Sequence, residues 1–155
     1  MKLAEALLER KRIKEEINAL RIRLVTDARV QEGDEPAEYP EALMEKVLRL
    51  VTSLEQLTIA INRTNAKTMM PNRHMSLMEA IAFRDGLKLR YELAHALADA
   101  AAGGRDYRTT RSEIKFVPTV DVAYWRQAAD EYAKRYRELD AEIQAANWSV
   151  DLDST

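Results

Sequence analysis

Leu43, Val47, Leu50, Leu54, Leu57, Ile61 and Thr64 follow one another at alternating steps of four and three. That spacing returns to one side of an α-helix every seven residues and makes a continuous seam that another helix must cover. Val122, Trp125, Ala129, Tyr132, Tyr136, Leu139, Ile143 and Ala146 repeat the pattern later in the chain. A strand would scatter either set over both of its faces, so both segments are predicted as long helices. At about 1.5 Å per residue, the first should run for roughly 35 Å.

Two further helices are predicted. Leu3, Ala6, Leu7, Ile13, Ile17, Leu20 and Leu24 line one face of the first segment. Arg10 interrupts this stripe, but its methylenes can lie along the seam while the guanidinium reaches water. Ser76-Leu77-Met78-Glu79 reads as a capping box, the serine hydroxyl accepting from the amide three residues on and Glu79 reaching back. The helix it opens carries Leu77, Ile81, Leu87, Leu89, Tyr91, Leu93 and Leu97 on more than one stripe, and is expected to be buried on two sides. Gly103-Gly104 supplies a left-handed stop.

The expected fold class is all-α: an antiparallel four-helix bundle or a pair of long helical hairpins with heptad seams, in a single helical domain over 1–155. The expected helices cover about 2–26, 41–67, 77–102 and 120–147, with long loops at 27–40 and 103–119 and a frayed tail at 149–155. One short two-stranded element from Arg29-Val30-Gln31 and Ser112-Glu113-Ile114-Lys115-Phe116 is an optional addition.

Composition narrows the function classes. The chain has no cysteine, which excludes disulfides, zinc–thiolate sites and cysteine nucleophiles and is compatible with a reducing cytoplasm. With 24 basic and 26 acidic residues the net charge is -2, which argues against a chain whose main task is neutralising nucleic-acid phosphates. No window approaches the roughly 18 apolar residues of a membrane span. Glu5, Glu9 and Arg10-Lys11-Arg12 interrupt any secretory leader, so the expectation is a cytoplasmic protein.

Three groups of residues are candidates for chemistry. Glu92 and His95 have the Glu-x-x-His spacing of di-iron carboxylate bundles, in which residues three apart share a metal from one helix face. A second copy of the motif would have to come from another chain, and a surface ion pair or interface histidine is the plainer reading. Arg105, Arg108, Arg111 and Lys115, with Tyr107 among them, form an anion-binding candidate, since guanidinium groups take phosphate and carboxylate bidentately. Asp106 and Glu113 dilute this patch. The acidic loop over 31–41, with Glu32, Asp34, Glu35, Glu38 and Glu41, could gather oxygen ligands for calcium or magnesium, although it lacks the regular spacing of a calcium loop. It is expected to be solvated or to pair with the arginines near residue 110. Asn62-Arg63-Thr64-Asn65, near a helix end, is suited to bonding free carbonyls or an adjacent loop. Trp125, Tyr132 and Tyr136 lie on the seam and read as core.

Val30-Gln31-Glu32-Gly33-Asp34-Glu35-Pro36, Ile61-Asn62-Arg63-Thr64-Asn65, Arg111-Ser112-Glu113-Ile114-Lys115 and Asn147-Trp148 resemble the shared segments of a septicolysin-like family of small bacterial proteins. The resemblance spans essentially the whole chain. It implies a helical protein with no assigned activity or catalytic residues.

No serine–histidine–acid or phosphate-loop pattern is present, and no cofactor is expected. The leading expectation is a non-catalytic structural or interaction protein that forms a homo-oligomer through its helices. A metal-binding bundle centred on Glu92 and His95, and an anion or nucleic-acid binder using residues 105–115, are the alternatives.

Overall fold

The structure, a computed structural model, describes residues 1–103, 114–153 and 155. Four helices form: α1 (Leu3–Thr26), α2 (Pro40–Lys67), α3 (Leu77–Ala101) and α4 (Val122–Ser149). The fold is all-α, as the seams predict, with no sheet among the described residues. Arg29–Gln31 are irregular, and residues 112 and 113 of the expected partner strand lie outside the described residues. An isolated antiparallel bridge pairs Lys2 with Asp151 instead.

The chain divides into two compact units. The first comprises Met1–Met69 and Ala145–Thr155, the second Met70–Gln144.

In the first unit α1 and α2 form an antiparallel hairpin. Lys46 Nζ lies 3.0 Å from Glu16 Oε1 across the two helices, and Arg23 near the end of α1 grips Glu38 just before α2 begins. Pro40 opens α2, where its missing N–H leaves no bond unmade and its fixed φ suits the first helical turn. The connecting loop turns at Gly33, whose φ of +90° suits a residue without a Cβ, and Asp34 N–H bonds Gln31 O at 2.9 Å. Leu3, Ala6, Ile13 and Leu20 of α1 are buried, as are Leu43, Ile61 and Thr64 of α2. Arg10, the fault in the α1 stripe, is only partly exposed.

The tail, where fraying was expected, is tied to both helices of this unit. Leu3 N–H donates to Val150 O and Leu152 N–H to Met1 O, each at 2.9 Å, while Lys67 Nζ meets Asp153 Oδ2 at 2.6 Å. The physical reason is the helix start itself. The first amides of α1 have no partner within the helix, and Val150 O supplies one while Glu5 Oε2 accepts Lys2 N–H at 2.7 Å.

In the second unit the capping box forms as expected. Ser76 Oγ accepts Glu79 N–H at 3.2 Å and donates to Glu79 Oε2, which also accepts Ser76 N–H at 2.7 Å. Gly103 ends α3 with a φ of +91°, the left-handed conformation expected there. Leu77, Ala80, Leu87, Ala94 and Ala98 form the buried face of α3. The opposite row does not follow the expectation of burial on two sides: Leu89 is 56% exposed and Leu93 63%. α3 turns one face inward and leaves a second apolar row to solvent.

No seam residue of α1, α2 or α4 is exposed, so the heptad reading places every one of them correctly. Yet Val47, Leu50, Leu54 and Leu57 of α2 are only partly buried, and so are Trp125, Tyr132 and Tyr136 of α4.

Candidate functional site

Two ion pairs mark the register of α3 against α4. Arg84 Nη1 donates to Asp140 Oδ1 at 3.0 Å, and Arg126 Nη2 lies 3.9 Å from Asp99 Oδ1. The helices therefore run antiparallel, each residue forward on α3 matching one back on α4. Arg90 lies nine residues before Asp99 and Arg135 nine after Arg126, so the two arginines stand level across the groove.

A cavity of about 560 Å³ opens there. Its apolar lining is Met75, Phe83, Leu87 and Leu139; its polar lining is Arg73, Arg90, Arg135, Tyr132 and Glu138. Helical spacing explains the composition. Phe83, Leu87 and Arg90 recur at steps of four and three on α3, as Tyr132, Arg135 and Leu139 do on α4 in the order three, four.

The three arginines are held differently. Arg73 is spent on a fork to Glu142, with Nε to Oε2 at 2.7 Å and Nη2 to Oε1 at 3.0 Å. This fork holds the Glu142 carboxyl below its ordinary range. Arg90 and Arg135 have no carboxylate oxygen within 4.0 Å among the described residues. Arg90 folds back along its helix over Gly86: a Cβ placed on that glycine would sit 3.2 Å from Arg90 Nη1. A glycine inside a helix costs about 1 kcal/mol relative to alanine, and here its bare Cα makes room for a guanidinium.

Glu92 and His95 both lie on the exposed surface of α3. His95 stacks on Tyr91 with ring centroids 5.6 Å apart, and its Nε2 stands 3.2 Å from Asp99 Oδ2. Glu92 lines a smaller hollow with Lys88, Tyr136 and Arg137. Tyr91 lines that hollow beside Glu92 and also stacks on His95, and no group of three or more metal-ligating side chains gathers among the described residues.

Of the basic loop, Arg105, Arg108 and Arg111 lie outside the described residues; Lys115 is exposed. In the acidic loop Glu38 pairs with Arg23 of α1, and Tyr39 Oη lies 3.5 Å from Glu35 Oε2. Glu32, Asp34 and Glu41 are exposed. The seam aromatics are not plain core: Tyr132 lines the larger cavity and Tyr136 the smaller one.

The sequence reading missed Arg73, Arg90 and Arg135 because they are scattered over three segments. The available signal was an arginine flanking each seam at matching depth, with a helix-interior glycine four residues before one of them.

No curated protein matches the chain. The chain is similar to a functionally unknown conserved protein from Corynebacterium diphtheriae, with 40% identity; it matches that crystal structure with a TM-score of 0.92 over 99% of each chain. Nothing in these likenesses carries the septicolysin-like label, and what remains of that resemblance is its broader part, a helical protein without an assigned activity. Residues 10–152 match a family of unknown function, DUF6847, and the chain belongs to that family.

Proposed function

We propose that the protein is a non-catalytic helical interaction protein that assembles with copies of itself through the open apolar faces of its helices. The observation that carries this reading is the outer row of α3. Leu89, Leu93 and Leu97 follow at steps of four, all exposed, on a helix whose other face is already buried. Apolar surface of this kind gains about 25 cal/mol per Å² when a partner covers it, and contiguous rows of it mark interaction surfaces. The half-covered α2 seam, Val47 to Leu57, supports the same reading, since a heptad seam is complete only when another helix lies along it.

Among the described residues no helix is long and apolar enough to cross a membrane. A cysteine-free chain suits the reducing cytoplasm, where we place its action. A metal site at Glu92 and His95 would need further donors from a second copy, and metal content measured on the assembled protein decides it.

The test is sedimentation velocity combined with native mass spectrometry on untagged protein. A discrete oligomer at micromolar concentration, shifted toward monomer by Leu93→Lys with helix content unchanged, is the expected result. A monomer at that concentration overturns the proposal.

A further inference from the structure

Arg90 and Arg135 belong to one compact unit. The two residues occupy level positions on α3 and α4 and line one cavity, each without a carboxylate oxygen within 4.0 Å among the described residues. Both side chains are exposed, and an anion placed between two such cations is attracted to each. Glu138 of α4 also lines the cavity. Its field acts on Arg73, together with that of Glu142, which Arg73 already grips. The cavity keeps two unspent forks, a tyrosine hydroxyl at Tyr132, and an apolar wall.

We infer that the cavity between α3 and α4 binds an organic phosphate monoester, its phosphate held between Arg90 and Arg135 and its apolar body against Phe83, Leu87 and Leu139. Two guanidinium groups lining one cavity match a dianion with three terminal oxygens better than a single carboxylate, which one fork satisfies. Tyr132 Oη adds a donor for a remaining oxygen. The apolar wall explains why inorganic phosphate is not the preferred occupant: it would leave Phe83, exposed in the free protein, uncovered. Gly86 is a positioning residue, because its missing Cβ lets the Arg90 guanidinium lie back over it.

This site is separate from the outer leucine row and does not depend on self-association. The test is isothermal titration of the full-length protein with phenyl phosphate, inorganic phosphate and phenol at low ionic strength. Saturable binding of phenyl phosphate is expected, with inorganic phosphate and phenol each at least about tenfold weaker. Arg90→Gln and Arg135→Gln should each weaken phenyl phosphate at least about tenfold, the size expected for hydrogen bonds to a charged group. Arg137→Gln, the same charge change on the same helix but in the neighbouring hollow, should leave binding unchanged. Circular dichroism confirms that each variant is folded. No saturation with phenyl phosphate, equal binding of inorganic phosphate, or equal losses in all three arginine variants would each overturn the inference.

Discussion

Thr64 accepts the backbone N–H of Asp153 on its hydroxyl at 2.9 Å while donating to Ala60 O at 2.8 Å. Thr64 is 3% exposed, so its hydroxyl is shielded from water, while Asp153 is partly buried. Thr64→Val keeps the volume and removes the acceptor, leaving the partly buried Asp153 amide without its partner. The expected cost is about 1–3 kcal/mol, with a fall in melting temperature of about 2–4 °C per kcal/mol for a chain of this size. Thermal melts check it, and amide exchange at residue 153 should quicken in the variant.

The start of α3 rests on one serine. Ser76→Ala loses both the acceptor for Glu79 N–H and the donor to Glu79 Oε2. A loss of about 1 kcal/mol is expected, and Ser76→Asp should recover most of it, since aspartate caps well. Chemical denaturation of the three proteins decides the order.

Acid should loosen the tail. Lys2 holds the Asp151 carboxyl below its ordinary range, and Lys67, followed by Thr155, does the same for Asp153. A carboxylate with a depressed folded-state pKa stabilises the fold above its unfolded pKa, and that contribution is lost as pH falls through the folded value. The loss should therefore begin below about pH 4. Melting temperature measured between about pH 7 and pH 2 should fall less steeply at its acid end in Asp153→Asn than in the parent.

Gly86→Ala should separate stability from binding. The added methyl meets only the far end of Arg90, at 3.2 Å, and that side chain can swing away. Helix propensity then favours the variant by roughly 0.5–1 kcal/mol, while Arg90 loses its place in the cavity. A higher melting temperature with weaker phenyl phosphate binding is the expected pair of results. A lower melting temperature would show that Arg90 is fixed where it lies.

Much of this fold could be read from spacing. The seam residues from Leu43 to Thr64 and from Val122 to Ala146 face inward because a heptad repeat allows them no other common side. Ser76 and Gly103 act as punctuation for reasons local to a few residues. The outer leucines of α3 were legible as apolar but not as exposed, since periodicity marks a face without naming what covers it. The arginine cavity was illegible for a different reason. Arg90 and Arg135 acquire a common purpose only through the register of two helices, and that register is written in ion pairs such as Arg84–Asp140, which no short-range pattern foretells.

The bridge between Lys2 and Asp151 carries a consequence for the order in which the chain is made. Lys2 Nζ also donates to Ser149 O, so both contacts wait for the last stretch of the chain. A ribosome releases α1 and α2 first, and their hairpin can close early because its pairing is local. The amide of Leu3, however, has no acceptor until Val150 has left the exit tunnel. The first turn of α1 is thus completed only after the helices that follow it have been made, and a nascent chain halted before residue 150 would carry an α1 whose first turn is still open to exchange.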